Sequence, residues 1–212
     1  MSTSVSLEHA WDRLGPRLDA GRVVLGITGP PAAGKSTVAD RVHRWADAAG
    51  IRAVVVPMDG YHLAQAVLDA RGWGDVKGAP HTFDAHGYAD LLGRVRAQTA
   101  GDATVWAPRF DRSLEDPIAG SVGIEPEDRL VVTEGNYLLL EQDPWPAARA
   151  SLDECWYLEL PDDVRHERLT RRHQDFGRSP REAAHRALGT DEVNARLVAS
   201  YRRTADFVVR AD

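Results

Sequence analysis

Gly29-Pro30-Pro31-Ala32-Ala33-Gly34-Lys35-Ser36 fits the spacing G-x-x-x-x-G-K-[ST], and Thr37 follows it. Glycines at those positions let the backbone curl until successive N–H groups converge on one point, where phosphate oxygens can sit. A lysine placed there reaches the β- and γ-phosphates, and the neighbouring hydroxyl can hold Mg²⁺. Two carboxylates have the spacing to complete such a site. Asp59, in Pro57-Met58-Asp59-Gly60, can take a proton from a hydroxyl that attacks a γ-phosphoryl group. Its plainer reading is a turn residue before Gly60. Glu134, in Thr133-Glu134-Gly135-Asn136, can steady Mg²⁺ or its water, or else be an exposed loop acid. Arg168 and Arg172 stand four apart, on one face of a helix, and can neutralise charge that spreads over a transferring phosphoryl group. The alternative for them is a solvated basic face beside Glu167 and Asp175.

The elements that must position these residues follow from hydrophobic periodicity. Apolar runs predict strands at 22–27, 52–56, 104–107, 130–133, 154–160 and 205–209. Helical spacing predicts an amphipathic N-terminal helix at about 5–19, with Leu7, Ala10, Trp11, Leu14 and Leu18 on its apolar face. Further helices are predicted at 36–49, 63–70, 85–99 and 180–200, one begins at Pro161, and a small hairpin is predicted within 113–128. Strand, glycine loop and helix come in the order that a phosphate site needs. Strands alternating with helices imply a parallel sheet covered on both faces, with ligands beyond the carboxyl ends of the strands. Asp59 and Glu134 each follow a predicted strand and so fall at that edge.

The chain has 212 residues and reads as a single domain, 1–212. No apolar run approaches the roughly 20 residues of a membrane span, and Met1 to Ser6 lacks the basic start and apolar core of a signal peptide. The lone Cys155 cannot form an internal disulfide and sits in an apolar strand segment, so a reducing cytoplasm is the expected location. A net charge of −6 argues against nucleic-acid binding. The basic residues are unevenly placed: Arg165, Arg168, Arg171, Arg172, Arg178, Arg181 and Arg186 crowd one late segment. Only Lys35 and Lys77 are lysines among 26 basic residues, which draws attention to Lys77. Gly177 beside Arg178 suggests a lid over about 165–180.

The ordered set of segments resembles the uridine kinase, phosphoribulokinase and bacterial pantothenate kinase family of P-loop kinases. It is most similar to a bacterial nucleoside/nucleotide kinase branch, some of whose members are labelled fructose-transport-system kinases. The segments are Gly29 to Thr37, Met58-Asp59-Gly60-Tyr61-His62-Leu63, Lys77 to Asp84, Pro108-Arg109-Phe110-Asp111-Arg112 and Glu134 to Leu140. Pro144-Trp145, Tyr157-Leu158-Glu159 and Asp191 to Ala195 complete it, so the resemblance spans 22–209. It implies an α/β P-loop NTPase fold, a five-stranded, mostly parallel sheet flanked by helices on both faces, with a lid. It implies ATP and Mg²⁺, with Gly29 to Thr37 and Arg172 on the nucleotide, Ser36 and Glu134 on the metal, and Asp59, Lys35 and Arg168 as catalytic groups. Asp59, Tyr61, His62, Lys77, Phe83, Arg109, Asp111, Glu134 and Asn136 are the residues expected at the acceptor.

The acceptor expected from the resemblance is a small-molecule hydroxyl, a nucleoside before a sugar or pantothenate. The departures from the family lie in the acceptor segments. Where uridine kinases of the eukaryotic type carry Asp-Ser-Phe-Tyr and Tyr-Asp-Phe, this chain has Asp59-Gly60-Tyr61-His62 and Arg109-Phe110-Asp111-Arg112. Pantothenate kinases share an Asp-Gly-Phe and a Lys-Gly-x-Pro closer to this chain. A nucleotide-binding regulator is the alternative of another class. Against it, the chain lacks an Asn-Lys-x-Asp guanine motif and a Leu-Ser-Gly-Gly-Gln signature, and a pure switch has no use for Asp59. No membrane or nucleic-acid partner is expected, and a homodimer is left open.

Overall fold

Neighbouring residues of the central strands send their side chains to opposite faces of one sheet, and each face has its own apolar cluster. The structure is a computed structural model that describes residues 4–175, 177 and 179–210. Arg178 and residues 1–3 of the N-terminal segment lie outside the described residues. In chain order the elements are α1 (Leu7–Ala20), β1 (Val23–Thr28), α2 (Lys35–Ala48), β2 (Ala53–Pro57), α3 (Gln65–Arg71) and α4 (Ala85–Ala97). They continue with β3 (Val105–Asp111), β4 (Asp116–Ile124), β5 (Leu130–Gly135), α5 (Trp145–Ala150) and β6 (Glu154–Glu159). The chain ends with α6 (Asp162–Asp175), α7 (Pro180–Leu188), α8 (Thr190–Ser200) and β7 (Phe207–Arg210).

Five strands form the main sheet in the order β2-β5-β1-β6-β7, and every pairing is parallel. Val23, Leu25 and Ile27 of β1 face α1 and α2, together with Leu130 and Val132 of β5 and Trp156 and Leu158 of β6. Val24, Val131, Cys155 and Tyr157 face the opposite layer, built from α4, α5, α8 and the hairpin β3–β4. Burial on both faces explains why these strands read as unbroken apolar runs. The N-terminal helix does cover the sheet: Leu7, Ala10, Leu14 and Leu18 are buried on it. Each of those leucines contributes about 1.5–3 kcal/mol through the water it sheds. Trp11 meets Trp45 of α2 with ring centroids 5.7 Å apart. Cys155 is a buried strand thiol, and burial pushes it up to about 12.

Three expectations change. The strand predicted at 104–107 does not join the main sheet. It opens an antiparallel hairpin with β4, whose turn lies at 112–115, earlier than the 113–128 span suggested. Pro108 cannot donate to a ladder, and the register shifts between Ala107 and Arg109, so the run looked shorter than it is. The helix predicted at 180–200 is two helices broken at Gly189, where an added Cβ would stand 2.7 Å from the His185 carbonyl oxygen. No element is predicted over 145–150, where the structure has α5. Proline is tolerated in a first helical turn, and Trp145 and Ala148 pin the helix to the core.

Candidate active site

The glycine loop runs from the carboxyl end of β1 into α2. Gly34 is the cap of α2 with φ 88°, and Ala32 also adopts a left-handed φ of 64°. These turns curl the loop and aim the first N–H groups of α2 at one point. Gly29 is needed for a different reason: a Cβ there would come within 2.8 Å of the Leu158 carbonyl oxygen on β6. Lys35 is 9% exposed, and its Nζ donates to the carbonyls of Gly29 (3.1 Å) and Pro30 (3.0 Å). Burial holds its pKa below the ordinary lysine value, while Glu134 and Asp59 pull the other way.

Glu134 lies on β5, opposite Ile27 of β1 on one side and Pro57 of β2 on the other. It is buried, not an exposed loop acid, and its Oε1 accepts a hydrogen bond from Ser36 Oγ at 3.0 Å. Burial pushes its carboxyl up to about 7. The charge of Asp59 adds to the rise, and Lys35, the Ser36 hydroxyl and Arg112 oppose it. One hydroxyl and one carboxylate are hard oxygen donors, a set that fits Mg²⁺ when phosphate and water supply the other ligands.

The raised value has a testable sign. Between the ordinary carboxylate range and the raised value, the folded chain keeps a proton that the unfolded chain releases, so stability falls as pH rises through that window. Glu134→Gln should therefore melt above the parent near pH 8 and converge with it near pH 4 in scans of nucleotide-free protein. Equal melting temperatures near pH 8 would show that Glu134 carries no such burden.

Asp59 sits in a 3-10 turn (Met58–Tyr61) directly after β2. Arg112 Nη2 donates to its Oδ2 at 3.4 Å, and the His62 Nδ1 lies 2.9 Å from its backbone carbonyl oxygen. The hairpin crosses this turn so closely that a Cβ on Gly60 would be 2.3 Å from the Pro108 carbonyl oxygen. The Asp-Gly pair is thus more than a turn signal: glycine lets β3 approach, and the approach brings Arg112 to Asp59.

These groups face one cavity of about 950 Å³. Loop residues 31–37, Asp59, Glu134, Arg168 and Arg172 line it. Gly29 and Pro30 do not, and serve as carbonyl acceptors for Lys35. An Arg168 amino nitrogen lies 3.9 Å from where a Gly34 Cβ would be, so that guanidinium stands over the loop. Of the expected acceptor residues, His62, Lys77, Phe83 and Asn136 also line the cavity. His62 packs against Phe83 with centroids 4.0 Å apart and the rings tilted by 43°, and burial lowers its pKa. Lys77 Nζ donates to Gln65 Oε1 (3.0 Å) and to the Glu115 carbonyl (2.8 Å).

Three expected acceptor residues stand elsewhere. Tyr61 packs edge-on against Tyr88, 5.3 Å between centroids, on the core side of its turn. Arg109 is exposed, and Asp111 caps the hairpin turn by accepting from the Ser113 and Leu114 N–H groups (2.8 and 3.2 Å). Strand alternation is the cause: on β3, Phe110 turns to the cavity, Arg109 and Asp111 turn away, and Arg112 just past its end lines the cavity. Counting alternation from Phe110 would have selected Arg112. The late arginines divide as well. Arg165 is buried against α8, Arg171 and Arg181 do not line the cavity, and Arg186 does. The break at Gly189 also lets Asp191 and Asn194 reach the cavity wall, which a continuous helix gave no reason to expect.

Six cationic side chains of the cavity (Lys35, Lys77, Arg112, Arg168, Arg172, Arg186) face four anionic ones (Asp59, Glu115, Glu134, Asp191), a surplus suited to a polyphosphate. Known proteins agree with that reading. No protein-family model matches the chain. It is 41% identical over 145 residues to an "ATP-dependent kinase-like protein" of Aspergillus versicolor, covering 65% of this chain and 84% of the relative. It is 34% identical over 200 residues to the "Putative uridine kinase C227.14" of Schizosaccharomyces pombe, covering 89% and 83% respectively. A solved structure from Silicibacter sp. TM1040, a "putative fructose transport system kinase", superposes with TM-score 0.87 at 35% identity over 99% of this chain and 100% of that one. The chain belongs to the ATP-dependent, uridine kinase-like family of P-loop kinases.

Proposed function

We propose that the protein transfers the γ-phosphoryl group of ATP to a hydroxyl of a small molecule, with a nucleoside as the acceptor. The observation that carries this is the placement of Asp59 in the same cavity as Lys35, Ser36 and Arg168. The acceptor oxygen attacks the γ-phosphorus as the bond to the β–γ bridging oxygen breaks. Asp59 takes the hydroxyl proton, and ADP leaves with the electrons of the broken bond. Lys35 and the loop N–H groups hold the transferring charge, and Arg168 and Arg172 meet it from α6. Ser36 and Glu134 are the residues that would hold Mg²⁺, which would neutralise phosphate charge there. The rings of His62, Phe83 and Phe110 offer a flat base an apolar face.

A carboxylate-bearing acceptor of the pantothenate kind is the second reading, favoured by Lys77 and Arg112 in the same wall. ADP release measured separately with uridine, fructose and pantothenate discriminates these. Stimulation by uridine alone supports the nucleoside reading, and stimulation by pantothenate alone replaces it.

Arg168→Ala should lower kcat by about ten- to a hundredfold and leave ADP affinity within about threefold, since Arg172 on the same face takes over part of the charge. Equal losses in kcat and affinity would mean that Arg168 only binds nucleotide.

A further inference from the structure

A second cavity, of about 580 Å³, lies between the carboxyl ends of β6 and β7, the first turn of α6, and α8. It meets the glycine loop only at Pro30 and shares no lining residue with the 950 Å³ cavity. Among the described residues, two buried side-chain polar atoms lack a hydrogen-bond partner: Arg165 Nη1 and Arg202 Nε. Both residues line this one cavity.

The carboxylates in its walls are already engaged. Asp162 accepts from Arg165 Nε at 3.1 Å, and Glu159 pairs with Arg202 at 2.6 Å. Glu192 is bound by Arg165, by His166 at 3.0 Å and by Arg196 at 3.0 Å. Hydrogen bonds from His166, Arg165 and Arg196 hold Glu192 down at about 2, so it keeps its charge and its partners at neutral pH. Four guanidiniums (Arg165, Arg196, Arg202, Arg210) thus face three carboxylates, and the unused hydrogen-bonding capacity is of the donor kind. Pro30, Leu160, Pro161, Ala195 and Ala199 make the remaining wall apolar.

We propose that this cavity is an effector site for a small amphipathic acid, a short apolar body carrying one carboxylate or phosphate head. Its occupancy reaches the donor site through α6. Arg165 lies three residues before Arg168 on that helix, and Arg168 stands over Gly34. An anion on the free Nη1 shares the Arg165 guanidinium with Glu192 and Asp162, which bind its other nitrogens, and so changes how firmly the root of α6 is tied to α8. The binding part of this proposal is independent of which acceptor the kinase uses.

Calorimetric titration of the full chain with phenyl phosphate, and separately with hexanoate, tests it, in each case with and without saturating Mg-ADP. The expected result is one molecule bound per chain in the presence of Mg-ADP, with the tighter probe naming the head group. Binding should weaken by about tenfold in Arg202→Gln and in Ala199→Phe, a half-exposed and an exposed position that leave the buried Arg165 in place. The probe and ADP should change each other's affinity by the same factor. Loss of probe binding under saturating ADP would assign the cavity to the donor site and overturn the proposal. So would affinity unchanged by both substitutions, or by ADP, or no binding of either probe at about 10 mM.

Discussion

Asp59→Asn is expected to lower kcat by about a thousandfold while ADP affinity stays within about twofold, the span that a positioned general base supplies. Asparagine keeps the size of the side chain and one acceptor oxygen, so the turn after β2 and the close approach at Gly60 remain intact. What it loses is the ability to take a proton. It also weakens the 3.4 Å contact with Arg112, which leaves that guanidinium free to meet the acceptor. The affinity for acceptor should therefore hold or tighten while turnover collapses. Single-turnover assays with nucleotide-binding controls separate these quantities. A variant that turns over at a tenth of the parent rate or faster would remove Asp59 from the chemistry.

Lys35→Met carries the second large effect. The side chain is almost wholly buried, and methionine fills nearly the same apolar length without the charge. The ammonium donates to the carbonyls of Gly29 and Pro30, so it is held against the loop. A triphosphate supplies a stronger, charged partner and draws it off those carbonyls. Loss of that contact should cost about a hundred- to a thousandfold in kcat, because the charge that builds on the γ-phosphoryl oxygens is met by one fixed donor fewer. Binding of ADP should weaken less than turnover. A loss confined to KM would show that Lys35 holds ground state and transition state alike.

The donor half of this site was legible because its parts are local or topological. The glycine loop is a contiguous spacing, and Asp59 and Glu134 follow apolar runs whose carboxyl ends a parallel sheet gathers at one edge. The other half depends on relations that cross the chain. Whether Arg109 or Arg112 meets Asp59 turns on the alternation of a hairpin whose register shifts at Pro108. Whether Asp191 and Asn194 reach the cavity turns on the helix break at Gly189. Arg165 and Arg168 looked alike in a run of arginines, yet three positions on a helix turn one into the buried layer and the other over the loop. Tyr61 shows the same limit. It is adjacent to His62, but its ring belongs to the core beside Tyr88.

The central claim is that this cavity joins a nucleotide to a hydroxyl acceptor. The most direct test incubates the protein with Mg-ATP and a mixture of nucleosides, sugars and pantothenate, and follows ADP together with products by mass spectrometry. ADP release is expected to depend on the mixture, with an equal amount of one compound gaining a single phosphoryl group, and both are expected to be lost in Asp59→Asn. ADP release that no acceptor stimulates, with no phosphorylated product, would contradict it and favour a nucleotide-binding regulator.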